Sequence, residues 1–251
     1  MRLKRFNEVN LVLSGGAARG IAHLGVLQAL KEKGIKVKRV SGVSAGAIVA
    51  VLLGAGYEPL EILKLVKEVR WLNLFKFKPP GLGFIGWEKA RSFFNELVAA
   101  KRLEELSLPV NLCAVDLLEG KPLYFSEGPL PELLFASCAI PGVFEPVRYR
   151  RRLLVDGGLM NNLPVEPLEG YPEPVLCVDV LPVSKEKRVN NYFQLIIRSF
   201  FLAVRANSEK RRRYCDFLVE PPVLSFSPLD VRKADELFKV GYEAALKALP
   251  D

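Results

Sequence analysis

The stretch that decides the fold reads Val37-Lys38-Arg39-Val40-Ser41-Gly42-Val43-Ser44-Ala45-Gly46-Ala47-Ile48-Val49-Ala50. The β-branched run at residues 37–40 predicts a strand, and the small and aliphatic residues after Ser44 predict a helix to about Leu53. Between the two lies Gly-x-Ser-x-Gly, the spacing of a sharp strand-to-helix turn with the serine at its tip.

A similar unit precedes this stretch. Residues 9–13 form an apolar run that predicts a strand, and the glycine-rich turn Ser14-Gly15-Gly16-Ala17-Ala18-Arg19-Gly20 follows it. Apolar residues then recur at helical spacing over 22–30, and Gly34 predicts the end of that helix. Two strand–helix units in succession predict an α/β fold, with a mostly parallel central sheet flanked by helices.

The remainder of the chain continues in the same manner. Helices are predicted at 59–70, 88–102, 192–213 and 231–249, and strands at 110–115, 122–125, 143–148, 153–155, 175–180 and 217–219. Glycines and prolines are scattered rather than pooled in a linker, and no internal repeat is present. We therefore expect a single domain over residues 1–251.

The charge balance favours anionic partners without choosing among them. Lys and Arg number 36 against 28 Asp and Glu, a formal net charge of +8. The basic runs at 148–152 and 210–213 are short, and no nucleic-acid-binding motif accompanies them, so a nucleic-acid partner is not expected.

Cysteine and histidine usage argues against a metal site. Four cysteines lie far apart, at positions 113, 138, 177 and 215, without Cys-x-x-Cys spacing, and His23 is the one histidine. This pattern predicts free, largely buried thiols in a reducing compartment, with no metal and no cofactor.

The N-terminal residues have the charge of a signal peptide but lack its apolar region. Arg2, Lys4 and Arg5 supply the charge, yet the apolar run at 9–13 is interrupted at once by Ser14-Gly15-Gly16. The other apolar stretches are too short to span a bilayer. A cytoplasmic protein that touches membranes from outside, if at all, is the expectation.

The elbow around Ser44 has a chemical meaning as well as a structural one. A serine at the N-terminus of a helix projects its hydroxyl where the peptide dipoles favour negative charge, and Gly42 and Gly46 avoid collisions with neighbouring backbone. A purely structural turn is the alternative, but the strand before Ser44 and the helix after it favour a nucleophile.

Such a nucleophile needs a base, and the chain offers two. No histidine follows Ser44, which excludes the Ser–Asp–His order of α/β-hydrolases. His23 lies among apolar helical residues and is expected to make a local hydrogen bond there. Asp156 ends an apolar strand and precedes Gly157-Gly158, a position where sites form in parallel sheets, although an ordinary turn aspartate would look the same. Burial would raise its pKa toward that of a useful base.

The glycine-rich turn is the candidate oxyanion hole. Unpaired amides at Gly15, Gly16 and Ala17, ahead of a helix, would hold a negative oxygen, while Arg19 would steady the loop or hold a phosphate head group. Dinucleotide binding is the competing interpretation. The pattern Gly-x-Gly-x-x-Gly is not met, however, and no acidic residue ends the second strand.

Taken in order, these motifs resemble the patatin-like phospholipase family, in particular its small bacterial members with little beyond the catalytic domain. The similarity covers roughly residues 9–179 and also includes Ala136-Ser137-Cys138-Ala139-Ile140-Pro141-Gly142-Val143-Phe144 and Asp156-Gly157-Gly158-Leu159-Met160-Asn161-Asn162-Leu163-Pro164. The resemblance implies a three-layer α/β sandwich and a Ser–Asp dyad at Ser44 and Asp156. It also implies an oxyanion hole at Gly15, Gly16 and Ala17, where the family usually has a third glycine.

The function implied is hydrolysis of phospholipid or lysophospholipid acyl esters. The segment 71–87 mixes aromatic and basic residues, as does 192–213, and both suit contact with an anionic membrane surface as well as burial in the core. There are two alternatives: a non-catalytic lipid-binding or interaction domain with the same fold, and an acyltransferase.

Overall fold

The computed structural model describes residues 7–74, 76–77, 81–182 and 188–249, so the charged N-terminal residues discussed above lie outside the described part. The strands are β1 Glu8–Leu13, β2 Lys36–Gly42, β3 Lys76–Phe77, β4 Ile85–Gly86, β5 Val110–Asp116, β6 Lys121–Phe125, β7 Val147–Tyr149, β8 Arg152–Asp156, β9 Val175–Val178 and β10 Phe217–Val219. The helices are α1 Ala22–Glu32, α2 Ala45–Gly54, α3 Pro59–Glu68, α4 Glu88–Leu97, α5 Leu130–Cys138, α6 Tyr192–Arg211 and α7 Ala234–Ala248.

The central sheet has the order β10-β9-β1-β2-β5-β8-β7, with β6 added on β5. The pairs β10–β9, β9–β1, β1–β2 and β2–β5 are parallel, while the pairs around β6, β7 and β8 are antiparallel. The predicted α/β fold with a mostly parallel sheet is confirmed.

One detail of the sheet brings two distant parts of the chain together. Strand β6 occupies one edge of β5, where it pairs with both Leu112 and Ala114. Strand β2 also pairs with Leu112, and β8 also pairs with Ala114. Strands β2 and β8 must therefore share the opposite edge of β5. Along that edge Gly42 is opposite Leu112 and Asp156 is opposite Ala114, about 7 Å further on at the usual rise per residue. The ends of β2 and β8 therefore meet.

The two faces of the sheet are covered differently. Alternate residues of β1 point to opposite faces. Leu11 and Leu13 enter the large core that α1, α2 and α7 share, while Val12 lies in a small cluster with Leu163 and Cys177 on the other face.

Helices α1 and α7 pack closely because each contributes a glycine at the contact. A Cβ on Gly25 would lie 1.9 Å from the Phe238 carbonyl oxygen, and one on Gly241 would lie 1.9 Å from that of Ala22. Both positions exclude a side chain at the present separation of the helices.

Helix α5 is an element that the sequence analysis missed. All but two of its nine residues are buried, so the run lacks the apolar and polar faces by which an amphipathic helix is recognised. The strand predicted at 143–148 was wrong in its bounds: β7 begins only at Val147, because residues 141–144 form a turn in which Gly142 has φ of 74°.

The prediction of four free thiols was also wrong. Cys177 on β9 and Cys215 before β10 form a disulfide, with their Cα atoms 5.8 Å apart. Strand pairing between β9 and β10 creates this proximity across 38 residues of sequence, which residue spacing alone does not reveal. Cys113 and Cys138 are free.

Candidate active site

Ser44 lies at the junction of β2 and α2 in a backbone conformation that non-glycine residues rarely adopt. Its backbone has φ of 53° and ψ of −122°, and its amide donates to the carbonyl oxygen and the hydroxyl of Ser137, both at 3.1 Å. The residue is half-buried. A non-glycine residue at positive φ costs on the order of 1–2 kcal/mol and is held there by surrounding contacts.

The flanking glycines, Gly42 and Gly46, lie where neighbouring backbone approaches closely. A Cβ on Gly46 would lie 2.2 Å from the Leu13 carbonyl oxygen, and one on Gly42 would lie 2.7 Å from that of Gly46. These two approaches leave no room for a side chain, so the sharp turn at Ser44 depends on both glycines.

Asp156 ends β8 and is completely buried. Burial raises the pKa of its carboxyl to about 7, although the Ser44 side chain and the Gly158 amide each lower that pKa through hydrogen bonding. The Gly158 amide donates to Oδ1 at 2.8 Å, while Oδ2 makes no hydrogen bond of standard geometry with the described residues. Oδ2 is therefore the oxygen available to the neighbouring serine.

The turn formed by Asp156 and the 3-10 helix Gly157–Leu159, called the acid turn below, fits against β5 because it contains two glycines. A Cβ on Gly157 would lie 2.4 Å from the Cys113 carbonyl oxygen, and one on Gly158 would lie 3.0 Å from Oδ1 of Asp156. The glycine pair after the acid is therefore required by close packing against β5 and against the carboxyl itself.

The glycine-rich loop lies beside Ser44. The point that a Cβ on Gly15 would occupy is 3.0 Å from Cβ of Ser44. The Gly15 amide already donates to Oδ1 of Asn162 at 2.9 Å, whereas the amides of Gly16 and Ala17 donate to no group among the described residues. Of the three predicted oxyanion donors, these two are open.

Ala17 has φ of 50° and opens the 3-10 helix Ala17–Ile21. Positive φ is a conformation that glycine adopts more readily than other residues, and here an alanine adopts it.

Arg19 is buried and braces the loop. Its guanidinium donates to the carbonyl oxygens of Phe226, Pro182 and Leu224 at 2.9–3.3 Å. These bonds join the glycine-rich loop to backbone carbonyl oxygens of residues 182–226.

His23 makes the local hydrogen bond that was expected of it. Nε2 lies 2.8 Å from the Ser14 carbonyl oxygen, which can only accept, so Nε2 carries the proton. Burial lowers the pKa of His23 to about 4, and the ring is therefore neutral at pH 7. Its role in the structure is to support the glycine loop.

Three contributors to the site were not singled out by sequence reasoning. Ser137 binds the Ser44 amide and donates to the Cys113 carbonyl oxygen at 2.7 Å, and Asn162 binds Gly15. Asn207 on α6 donates to the Gly158 carbonyl oxygen at 2.7 Å. Ser137 and Asn162 lie within the motifs quoted above, but Asn207 has no local signal, because only the docking of α6 places it here.

Comparison with known proteins places this geometry in a family. The model of the patatin-like phospholipase family matches residues 11–169. An uncharacterised NTE family protein of Mycobacterium bovis is 37% identical over 166 residues, which are 65% of this chain and 46% of that protein. Lysophospholipase NTE1 of Candida glabrata is 26% identical over 96% of this chain and 16% of its own length.

Solved structures agree on the fold. VipD from Legionella pneumophila superposes with a TM-score of 0.68 at 16% identity, over 96% of this chain and 66% of that one. The chain spans less than half the length of the curated relatives named here. Because the family model covers well over half of the chain, including the Ser44 and Asp156 motifs, this chain belongs to the patatin-like phospholipase family.

Proposed function

We propose that the chain hydrolyses carboxylic esters of phospholipids or lysophospholipids, with Ser44 as nucleophile and Asp156 as general base. One observation carries the proposal: a half-buried serine at positive φ heads a helix beside a fully buried carboxyl group whose pKa is about 7. A carboxylate with that pKa takes a proton far more readily near neutral pH than an ordinary aspartate. Membership of the family supports a lipid substrate.

The proposed reaction has two halves. Oγ of Ser44 attacks the ester carbonyl carbon as its proton passes to Oδ2 of Asp156, and the amides of Gly16 and Ala17 hold the developing oxyanion. Asp156 returns the proton to the leaving alcohol, which leaves an acyl ester on Ser44. Water then attacks this ester by the same route and releases the carboxylic acid.

The direct test compares wild type with Ser44→Ala, Asp156→Asn and His23→Ala on a soluble acyl ester, with fluorophosphonate labelling of Ser44 in parallel. We expect turnover to fall at least about 100-fold in the first two variants and to persist in His23→Ala, since a base typically contributes 10²–10⁴-fold. Loss of turnover in His23→Ala together with persistent turnover in Asp156→Asn would assign the base to His23 instead.

The two alternatives are outcomes of the same test. A non-catalytic lipid-binding domain would leave Ser44 unlabelled and turn over nothing. An acyltransferase would label, yet its acyl product would be found on an acceptor other than water, which product analysis detects.

The wild-type pH profile tests the base by itself. Asp156 acts as base only when ionised, so kcat/KM is expected to fall as the pH drops through about 7. A profile that is flat between pH 5 and 8 contradicts the assignment.

We also propose that the enzyme works at an anionic membrane surface. Phe77, Leu82, Tyr192 and Leu195 are 53–73% exposed, and Phe84 joins their two segments through ring contacts at 6.3 Å with Tyr192 and 5.8 Å with Phe193. Residues 71–87 and 188–208 contain no Asp or Glu but several Lys and Arg, which suits an anionic interface.

The first of these segments includes four residues outside the described part of the structure, namely Phe75, Lys78, Pro79 and Pro80. Among those described, no helix is both long and apolar enough to cross a membrane.

Vesicle sedimentation tests this surface with a matched pair of variants. Leu195→Ser on α6 and Leu60→Ser on α3 alter leucines of equal exposure, 53% each. We expect the first to weaken binding to vesicles that contain phosphatidylserine and the second to leave it unchanged. Equal binding of both variants would contradict the assignment of this face.

A further inference from the structure

Two asparagines connect the glycine loop to the acid turn. Oδ1 of Asn162 accepts the Gly15 amide at 2.9 Å, and the backbone amide of Asn162 donates to Oδ1 of Asn207 at 2.8 Å. Nδ2 of Asn207 donates in turn to the carbonyl oxygen of Gly158, whose own amide binds Asp156. A continuous set of hydrogen bonds thus runs from the loop beside Ser44, through α6, to the carboxyl group.

The Asn162 carboxamide lies close to both Gly15 of the glycine loop and Gly158 after the acid. The point that a Cβ on Gly15 would occupy is 2.8 Å from Oδ1 of Asn162 and 3.0 Å from Cβ of Ser44. The corresponding point on Gly158 is 3.2 Å from the same Oδ1 and 3.0 Å from Oδ1 of Asp156. Asn162 is completely buried, and its Nδ2 has no partner among the described residues.

A neutral side chain suits this position. The Gly15 amide needs an acceptor, but a carboxylate here would place a second negative charge close to Asp156 and favour the protonated form of that base. Burial, and to a smaller extent the charge of Asp156, raises the thiol pKa of Cys113 on β5 and Cys138 on α5, so both thiols remain neutral. An asparagine supplies the acceptor without the charge.

We propose that Asn162 is a positioning residue for the reaction at Ser44, braced by Asn207 from α6. It holds the Gly15 amide so that the Gly16 and Ala17 amides face the serine, and it keeps the surroundings of Asp156 uncharged. This inference rests on the proposed hydrolase function. Neither asparagine touches the reacting atoms in this role.

The experiment measures kcat, KM and thermal unfolding of Asn162→Ala, Asn162→Asp and Asn207→Ala across pH 5–10 on a soluble ester. The matched control is Asn161→Ala, since Asn161 is adjacent and equally buried but donates to Tyr124 and Glu166 instead. We expect kcat to fall about 10–100-fold in Asn162→Ala with KM changed less than about threefold, because small misplacements in a site cost rates of this order.

The aspartate variant separates a positioning role from a merely structural one. Asn162→Asp keeps an acceptor for Gly15, so its activity is expected to recover at high pH, with the acidic limb of kcat/KM shifted upward by about one unit or more. Asn207→Ala, on the half-buried face of α6, is expected to lower kcat several-fold without moving that limb. If the aspartate variant does not fold, the loss of kcat in Asn207→Ala tests the positioning role in its place.

Three outcomes would overturn the inference. The first is an unshifted profile in a folded Asn162→Asp variant, and the second is a loss of kcat in Asn162→Ala or Asn207→Ala no larger than in Asn161→Ala. The third is the absence of Ser44-dependent turnover in wild type, which overturns the hydrolase function as well. Because the first two require active wild type, the failures are distinguishable.

Discussion

Backbone strain in this protein is concentrated at individual residues of the candidate site. Among the described residues, Ala17, Ser44 and Arg150 are the non-glycine residues with positive φ, and two of the three lie at the candidate active site. Each costs on the order of 1–2 kcal/mol relative to ordinary backbone. Strain of this kind persists where surrounding contacts determine the conformation, as the two bonds from the Ser44 amide to Ser137 do here.

Replacement of Ala17 tests the loop conformation. Ala17 already adopts the φ that a glycine would take, so Ala17→Gly is expected to change kcat less than about threefold. The free energy of unfolding should change by less than about 1 kcal/mol, because glycine relieves backbone strain but also adds entropy to the unfolded state. Ala17→Val, β-branched, should lose about 1–2 kcal/mol more than Ala17→Gly. Denaturant titration measures both, and a valine variant as stable as wild type would contradict positive φ.

The buried carboxyl of Asp156 gives stability a specific pH dependence. Its pKa is raised from 3.8 to about 7, so the folded protein binds a proton that the unfolded chain has lost, and this contribution disappears as pH rises from about 4 to above 7. Asp156→Asn lacks the ionisation and should exceed wild type in unfolding free energy by on the order of 2–4 kcal/mol at pH 8, and by much less at pH 4.

The control for that measurement has the opposite sign. Arg232 lowers the pKa of Asp230 to about 2, so its ionised form stabilises the fold above about pH 4 and that contribution is lost at lower pH. Asp230→Asn should therefore lose rather than gain stability at pH 8. A pH-independent difference between wild type and Asp156→Asn would show that Asp156 does not ionise as described.

At the scale of elements, the contact between α1 and α7 depends on two glycines. Since a Cβ on Gly241 would lie 1.9 Å from the Ala22 carbonyl oxygen, Gly241→Ala must push the helices apart. We expect a loss of about 1–3 kcal/mol despite the higher helix propensity of alanine, because overpacking outweighs propensity.

An exposed position on the same helix provides the comparison. Lys247→Ala lies on the solvent face of α7 and should change stability by less than about 0.5 kcal/mol. Thermal unfolding of both variants measures the difference, and a Gly241→Ala variant as stable as Lys247→Ala would contradict the close packing.

At the scale of the whole molecule, the disulfide joins β9 to the segment that leads into β10. Cys177 lies two residues before Asp179, whose carboxylate bonds Arg205 and Arg212 at 3.3 and 3.1 Å, so the covalent link and the ion pairs fasten the same region to the sheet. A loop closed across 38 residues stabilises the fold by about 3–4 kcal/mol in the chain-entropy model.

Thiol titration checks this pairing directly. Denatured, unreduced protein should expose two thiols, those of Cys113 and Cys138, and four after reduction. Cys177→Ser/Cys215→Ser should give two under both conditions and unfold at lower denaturant concentration. Four thiols in unreduced wild type would contradict the disulfide.

The sequence by itself determined the elements and motifs whose signals are local. Apolar periodicity located most helices and strands, and the spacing Gly42-x-Ser44-x-Gly46 predicted a strand-to-helix turn that the structure shows at positive φ. Such signals suffice because backbone sterics and side-chain alternation act over a few residues.

Only the tertiary structure decided which distant residues meet. Ser44 and Asp156 are neighbours because β2 and β8 end on the same edge of β5, and Asn207 reaches the site because α6 docks on the acid turn. The pairing of Cys177 with Cys215 and the largely buried helix α5 were likewise decided by the tertiary structure. Contacts of this kind depend on strand register and layer packing, which are fixed by the whole fold rather than by any short stretch of chain.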